Sequence, residues 1–235
     1  MKAVILAGGL GMRVRPFTKV IPKPLLPIGE KSVLEIQINQ LKQSGFNEIY
    51  IATNYMGDYI ERFFGDGSSY GVKLRFSREE EPLGSAGPLS LLKDELTEPF
   101  IVMNGDILSL IDYKKFFNFA VTNNGMLTLA IKKHITPYAF GNIFFQEDHV
   151  IGLEEKSDII RYIMAGIYVM TPDIFDYIPG GRSYGMDDLI RTMLEKKVPI
   201  LKYLMNEYWI DIGRIDDYEE ANTFYNEHLK EVSNF

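Results

Sequence analysis

The chain has 235 residues, of which 46% are apolar and 24% are charged, and this is the composition of an ordinary globular protein. Its 32 acidic and 25 basic residues give a formal net charge of −7, which argues against a general nucleic-acid binder and a polybasic membrane binder. The chain has no cysteine, which excludes disulfides, a thiolate nucleophile and a cysteine zinc site, and its three histidines are far apart in the sequence.

No segment resembles a targeting signal or a membrane span. The apolar run at residues 3–7 is too short for the hydrophobic region of a signal peptide, and no window of about 18 apolar residues occurs. We therefore expect a soluble cytoplasmic protein that binds small molecules rather than nucleic acid or membrane. The sequence leaves open whether it forms a homo-oligomer.

In the first half of the chain, short apolar runs alternate with amphipathic segments. One helix has clear start and stop signals, because Ser32 and Glu35 form a capping box and Gly45 follows the last apolar position. The predicted strands are 3–7, 47–53, 72–77 and 99–103, and the predicted helices are 32–45 and 58–64. This alternation predicts βαβ units in an open, mostly parallel sheet.

The second half of the chain is more mixed. Its predicted strands are 126–132, 142–146, 150–155, 163–170 and 199–204. One predicted helix begins after Thr171-Pro172, and two further predicted helices cover residues 186–196 and 216–232. No linker, repeat or low-complexity segment occurs. We therefore predict a single α/β domain over residues 1–235 with an antiparallel insertion that binds substrate.

A glycine-rich turn, LAGGLGMR at residues 6–13, directly follows the first predicted strand. Glycine tolerates positive φ and lets backbone N–H groups approach phosphate oxygens. Four cations, Arg13, Arg15, Lys19 and Lys23, lie in or just after this turn. The spacing matches neither a Walker loop nor a GxGxxG fingerprint, and a sharp turn without a ligand is the alternative. The cations favour a polyphosphate ligand.

Two aspartates follow or interrupt apolar strands. Asn104-Gly105-Asp106 comes directly after the strand at 99–103, where ligands bind in open α/β sheets, and Asp211 lies within the apolar run WIDIG. Carboxylates beside phosphates are typical ligands of Mg²⁺. A solvated aspartate in an Asn-Gly turn is the alternative for Asp106. The two aspartates together are candidates for one metal site.

Two further segments carry charge without a distinctive pattern of their own. Residues 79–87 read EEEPLGSAG, which alone indicates an exposed turn, and residues 154–156 read EEK, which alone indicates a solvated charge cluster.

Taken together, these segments resemble the sugar-nucleotide pyrophosphorylases, or sugar-1-phosphate nucleotidyltransferases, over nearly the whole chain. The matching segments are LAGGLGMR, PKP, EPLGSAG, NGD, EEK, AGIYVM and WIDIG, in the family's order and approximate spacing. The resemblance implies a Rossmann-like nucleotide-binding fold. It also implies Mg²⁺-dependent condensation of a nucleoside triphosphate with a sugar 1-phosphate, with release of pyrophosphate.

The resemblance also implies roles for individual residues. Arg13 would contact the leaving pyrophosphate and Lys23 the α-phosphate, and with Asp106 these are the catalytic candidates. Asp106 and Asp211 correspond to metal-binding aspartates. The remaining nucleotide-site candidates are Leu6, Ala7, Gly8, Gly9, Gly11, Glu79, Glu80, Gly84, Ala86 and Asn104. The candidates on the sugar-phosphate side are Gly141, Glu155, Lys156, Gly166 and Asp211.

Some positions depart from the family's pattern. Met164 stands where many relatives have Asn, and Phe140-Gly141-Asn142 replaces a frequent Tyr-Gly-Val, so both changes remove polar groups from the sugar side. The sugar can therefore be a hexose, a hexosamine or a heptose. The chain carries no left-handed β-helix segment, which argues against a bifunctional acetyltransferase.

The acidic loop favours GTP as the nucleotide. Thymidylyl and uridylyl relatives commonly have Gln a few residues before the loop glycine, whereas this segment has only carboxylates there and resembles EEEPLGTAG of mannose-1-phosphate guanylyltransferases. An ionised carboxylate only accepts hydrogen bonds, and guanine offers adjacent N1–H and N2–H₂ donors. Glu79 is the first candidate and Glu80 the second.

Three alternatives stay open from the sequence. Backbone groups rather than a carboxylate can read the base. Uridylyl or thymidylyl transfer to glucose 1-phosphate or N-acetylmuramate 1-phosphate is the alternative reaction. A nucleotide-binding protein without catalytic activity is the alternative class.

Overall fold

A seven-stranded sheet lies at the centre of the protein, whose computed structural model describes residues 1–155 and 158–230. Four strands come from the first half of the chain: β1 (Lys2–Leu6), β4 (Glu48–Thr53), β5 (Lys73–Arg78) and β6 (Phe100–Asn104). The other three are β8 (Leu127–Thr136), β11 (Ile159–Met170) and β12 (Ile200–Met205).

The strand order is β12-β8-β11-β6-β1-β4-β5. β1 is parallel to both of its neighbours, and Leu6 at its carboxyl end lies opposite Asn104 of β6 and Ala52 of β4. The loops that follow these strands therefore meet at one edge of the sheet. β11 is antiparallel to β6 and to β8. The prediction of a mostly parallel α/β sheet with an antiparallel part is confirmed.

Three two-stranded antiparallel ladders lie outside the main sheet. They are β2 (Pro27–Ile28) with β3 (Lys31–Ser32), β7 (Ile107–Ser109) with β13 (Trp209–Asp211), and β9 (Asn142–Gln146) with β10 (His149–Glu154). The second ladder places Asp211 opposite Ile107, so it brings the two predicted aspartate segments together.

Five α-helices accompany the strands in the described part of the chain. They are α1 (Val33–Gln43), α2 (Gly57–Phe64), α3 (Tyr113–Thr122), α4 (Met186–Glu195) and α5 (Ile215–Phe224). The predicted cap of α1 is present, since the Glu35 N–H donates to Ser32 Oγ at 3.2 Å. No helix among the described residues is long and apolar enough to cross a membrane.

Apolar side chains cover both faces of the sheet. Alternate residues of β1 point to opposite sides, so Ile5 packs in a cluster with Leu34 of α1, whereas Val4 packs in a second cluster with Leu189 of α4. Burial on both faces explains why β1 reads as a continuous apolar run rather than an alternating one.

Some elements differ from the sequence prediction. α3 is not predicted, because its sequence YKKFFNFAVT is rich in aromatic and β-branched residues; its start is fixed by Asp112, whose Oδ1 accepts the Lys115 N–H at 2.8 Å. The predicted helix after Thr171 is wrong, since only a 3₁₀ turn, Pro172–Asp176, forms there. α5 ends at Phe224 and a π-helical turn, Tyr225–Leu229, follows it.

Candidate active site

The glycine-rich loop leaves β1 and passes close to an acidic side chain. A Cβ at Gly8 would lie only 2.7 Å from Glu79 Oε1, so a larger residue at this position would displace that carboxylate. Gly11 has a φ of +58°, which favours glycine, and its carbonyl accepts the Thr18 hydroxyl at 2.7 Å. The local sequence therefore fixes a bent loop whose backbone borders a cavity.

This nucleotide-side cavity has a volume of about 370 Å³. The predicted residues that line it are Leu6, Gly8, Gly9, Glu79, Gly84, Asn104 and Asp106. Residues that the sequence did not single out complete it: Leu10, Asn54, Pro82, Ser85 and Pro88. Ala7 and Lys23 line a smaller neighbouring cavity of about 40 Å³ that shares Leu6, Gly9 and Asp106 with the first.

Glu79 is the glutamate of the EEE segment that faces the nucleotide-side cavity. Its residue is only 8% exposed, and its Oε2 accepts the Leu83 N–H at 2.8 Å. Burial raises the pKa of this carboxyl, although the hydrogen bond from Leu83 acts in the opposite direction. Asn54, which directly follows β4, donates its side-chain N–H to the Glu79 carbonyl at 3.3 Å. These contacts hold the acidic side chain in one place.

Two other predicted residues of this loop do not line the cavity. Glu80 is exposed and lines a different cavity, together with Arg78 and Arg182. Ala86 is completely buried in the core, and its N–H donates to the Tyr184 carbonyl at 3.0 Å. Ala86 therefore supports the loop from behind, while Gly84, with a φ of +81°, passes along the cavity wall.

The two predicted metal aspartates are neighbours across the β7–β13 ladder. The Ile212 N–H donates to the Asp106 carbonyl at 2.9 Å, directly beyond the strand that carries Asp211. Burial and the negative charge of Asp106 raise the pKa of Asp211, while Lys23 and Arg13 lower it. Lys23 forms an ion pair with Asp106. A cation therefore already lies beside this carboxylate pair.

The donor set fits a divalent cation. Asp211 Oδ1 is buried and has no hydrogen-bond partner among the described residues, which is costly for a carboxylate oxygen unless a ligand completes it. No group of three or more candidate ligand side chains occurs in the part of the chain that the structure describes. A metal held by Asp106 and Asp211 would therefore take its other ligands from phosphate oxygens and water, as Mg²⁺ commonly does.

A second cavity, of about 450 Å³, is lined by Asp211 but not by the glycine loop residues Gly8 and Gly9. Arg13 lines this second cavity and not the first, and a Cβ at Gly213 would lie 3.4 Å from its Nη2. The other lining residues are Lys132, Lys133, His134, Ile163, Trp209, Ile210, Asp211, Arg214, Asp217 and Glu220. The sequence prediction did not include Lys132, Lys133 and His134, which line this cavity from β8.

The remaining sugar-side candidates are spread out. Gly166 has a φ of +67°, and a Cβ there would lie 2.7 Å from the side-chain nitrogen of Asn104, so its backbone packs against a residue that lines the nucleotide-side cavity. Gly141 and Glu155 are exposed and line neither cavity. Lys156 lies outside the described residues.

Gln37 is a site residue that the sequence did not reveal. Its side chain is buried on α1, and its Nε2 donates to the carbonyls of Asn104, at 2.9 Å, and Ile107, at 2.8 Å. These bonds brace the turn that carries Asp106. The signal in the sequence was an amide flanked by the apolar residues Ile36 and Ile38, which sequence alone does not distinguish from an ordinary core residue.

Comparisons with known proteins identify a family model and relatives that match this chain. The model of the family described as nucleotidyl transferase matches residues 2–228. The chain is 32% identical to D-glycero-alpha-D-manno-heptose 1-phosphate guanylyltransferase of Aneurinibacillus thermoaerophilus, over 94% of this chain and 96% of that protein. It is 32% identical to mannose-1-phosphate guanylyltransferase 1 of Arabidopsis thaliana over 99% of this chain.

The chain spans about two thirds of the length of the plant relatives, 66% in one rice protein and 67% in the Arabidopsis protein. Among solved structures, HddC from Yersinia pseudotuberculosis complexed with GMP-PN is similar with a TM-score of 0.73 and 28% identity, over 95% of this chain and 99% of that one.

Proposed function

Since this chain belongs to the nucleotidyl transferase family, which confirms the resemblance seen in its sequence, we propose that it condenses a nucleoside triphosphate with a sugar 1-phosphate. The products are a nucleoside diphosphate sugar and pyrophosphate. The observation that carries this proposal is the meeting of the glycine loop, Lys23, Asp106 and Asp211 at one edge of the sheet.

The reaction needs no general base from the protein. A phosphate monoester has a second pKa of about 6, so the sugar phosphate is already a dianion at neutral pH. One of its oxygens forms a bond to the α-phosphorus, and the bond from that phosphorus to the oxygen bridging to the β-phosphorus breaks. Pyrophosphate leaves with the electron pair. Catalysis then depends on in-line positioning and on cations that stabilise the developing charge.

Each charged residue of the site has a proposed part in this reaction. The backbone of Gly8, Gly9 and Gly11 borders the triphosphate, and Lys23 neutralises the α-phosphate. Arg13, at the end of the glycine loop, would meet the leaving pyrophosphate from the second cavity. Asp106 and Asp211 would hold Mg²⁺, which would supply Lewis-acid polarisation of the phosphoryl oxygens.

The position of Glu79 supports guanine as the base. Its Oε1 lies beside the Gly8 backbone at the cavity wall, and Oε2 has a lone pair beyond the one that accepts the Leu83 N–H. Guanine can donate to such a carboxylate, whereas the carbonyls of uracil and thymine would be repelled by it. Two named guanylyltransferases among the relatives agree with this preference.

We predict that GTP exceeds UTP and dTTP by at least tenfold in kcat/KM, because a good bidentate contact discriminates by about 1–3 kcal/mol. The variant Glu79→Gln should lose most of this ratio. Glu80→Gln is the matched control, because Glu80 faces a different cavity and its loss should leave the ratio unchanged. Equal use of UTP and GTP by the unmodified protein would refute the role of the carboxylate but not the transferase reaction.

The reaction itself is tested by a grid of substrates. Five nucleoside triphosphates are each combined with a hexose, a hexosamine and a heptose 1-phosphate, and the release of pyrophosphate is measured. We expect release only when both substrates are present and a divalent cation is added. Absence of pyrophosphate from every combination would contradict the proposed function and favour a binding protein without catalysis.

A separate prediction distinguishes the two cationic roles. Lys156→Ala should raise the KM for the sugar 1-phosphate about tenfold, since a hydrogen bond to a charged group contributes about 1.5–3 kcal/mol. Arg13→Ala should instead lower kcat through the leaving pyrophosphate. Lys93→Ala, at an exposed position outside both cavities, is the control. An unchanged KM in Lys156→Ala would show that this lysine does not contact the sugar phosphate.

A further inference from the structure

The hairpin formed by β9 and β10 presents an apolar face that nothing in the described structure covers. The register places Phe145 opposite Val150 and Ile143 opposite Leu153, so these four side chains share one face. All four are 51–73% exposed. The hairpin is not paired with any other strand in residues 1–155 and 158–230, and an isolated two-stranded hairpin is at best marginally stable in water.

A second apolar face lies on the stem, which we define as the protruding ends of β8 and β11 (residues 131–136 and 159–164). Ile135 lies opposite Ile160, and Tyr162 and Met164 follow on the same face two and four residues further along β11. All four side chains are exposed, with Ile160 at 52% and Tyr162 at 62%. The hairpin and the stem therefore do not cover each other within one chain.

The charges of the two surfaces are opposite. Residues 138–155, which contain the hairpin, have four carboxylates and no Lys or Arg. The stem has Lys132, Lys133 and Arg161 and no Asp or Glu. Among the described residues, Lys133, Arg161 and the hairpin carboxylates make no ion pair. Lys133 lies opposite Tyr162, on the apolar face of the stem.

We propose that the hairpin of one copy of this chain packs on the stem of a second copy, and the reverse, in a two-fold symmetric dimer. A two-fold interface requires that each copy offer both complementary surfaces, and this chain does. Hairpin against hairpin would oppose carboxylates, and stem against stem would oppose cations. Hairpin against stem pairs opposite charges around two apolar faces.

The exposed area is sufficient for such an interface. The eight apolar side chains together expose on the order of 800 Å², which matches the share of about 800 Å² that each partner contributes to a standard interface. A second copy of the chain therefore matches these two surfaces in area, in charge and in symmetry.

The test is sedimentation velocity on the full chain between about 1 and 50 µM. We expect the unmodified protein to sediment as a species of twice 26.9 kDa. Phe145→Glu places a carboxylate on the hairpin face, at its most exposed apolar residue, and should weaken the dimer at least tenfold. Leu194→Glu is the matched control, because Leu194 is exposed on α4, far from β9 and β10 in the sequence, and its variant should remain dimeric.

A mixing experiment tests the reciprocal arrangement. Ile160→Glu damages the stem and should also weaken the dimer. A mixture of the Phe145→Glu and Ile160→Glu proteins can form a heterodimer in which one hairpin and one stem are both intact. We expect this heterodimer to be more stable than either variant homodimer.

Three results would overturn the proposal. The first is that the unmodified protein is monomeric at 50 µM. If the hairpin amides of that monomer are also protected from hydrogen exchange, the hairpin packs on the stem of its own chain. The second is a Phe145→Glu protein that dimerises as tightly as Leu194→Glu. The third is a mixture that shows no gain over the separate variants.

Discussion

Replacing Asp211 by Asn is expected to lower turnover by about two orders of magnitude or more, the scale of losing several kcal/mol of metal-assisted stabilisation. The substitution keeps the size of the side chain and removes one charged ligand. It also removes a buried carboxylate whose Oδ1 has no partner among the described residues. The loss of activity should therefore occur without a loss of folding stability.

The measurement is pyrophosphate release over a range of Mg²⁺ concentrations, together with thermal unfolding. We expect the Tm of Asp211→Asn to be equal to or higher than that of the unmodified protein, because burial and Asp106 both disfavour the charged form of Asp211. Asp216→Asn, at an exposed position in the first turn of α5, is the control and should keep full activity. Near-normal turnover of Asp211→Asn at low Mg²⁺ would contradict the metal role.

Much of the lining of the nucleotide-side cavity can be predicted from the sequence because it is built from local signals. The strand β1, the glycines after it and the turn after β6 are each short segments whose conformation depends on nearby residues. Parallel pairing of β1 with β6 then brings their carboxyl ends together by a general rule of α/β sheets. The position of Asp106 beside Gly9 follows from these facts alone.

Other parts of the site depend on contacts between distant segments, which the sequence does not show. Asp211 reaches Asp106 through a three-residue ladder between segments about a hundred residues apart, and strands this short carry little pattern. Of three consecutive glutamates, only Glu79 faces the nucleotide-side cavity, because its N–H donates to Thr53 and its Oε2 accepts from Leu83. Gln37 is hidden in the apolar face of a helix.

Lys23 and Asp106 form an ion pair beside the proposed metal site. Lys23 is buried, and its ammonium group contacts the carboxylate of Asp106, which we propose as a metal ligand. An ammonium beside a carboxylate lowers the attraction of that site for a second cation. We therefore expect the nucleotide-free protein to bind divalent cations weakly. A triphosphate changes this balance, because its α-phosphate offers Lys23 a second anionic partner and offers the metal additional oxygens.

Lys23→Met should accordingly have two opposite effects. Turnover should fall by about two orders of magnitude, since the α-phosphate loses a cation that stabilises its developing charge. Binding of Mn²⁺ to the nucleotide-free protein should become about tenfold tighter, since Asp106 and Asp211 are then two carboxylates without an ammonium between them and the metal. Titration followed by electron paramagnetic resonance measures this affinity independently of catalysis. Lys19→Met, at an exposed position on the same loop, is the control for the loss of one positive charge.

A double variant identifies the cause of the tighter binding. If Lys23 weakens metal binding through Asp106, adding Asp106→Asn to Lys23→Met should abolish the gain in Mn²⁺ affinity. An affinity of Lys23→Met equal to that of the unmodified protein would show that the ion pair does not oppose the metal. In that case Lys23 would act on the phosphate alone, and the order in which metal and nucleotide bind would not depend on this lysine. If instead the gain is found, the ion pair couples metal binding to the arrival of the triphosphate, because the same ammonium serves Asp106 before the nucleotide binds and the α-phosphate afterwards.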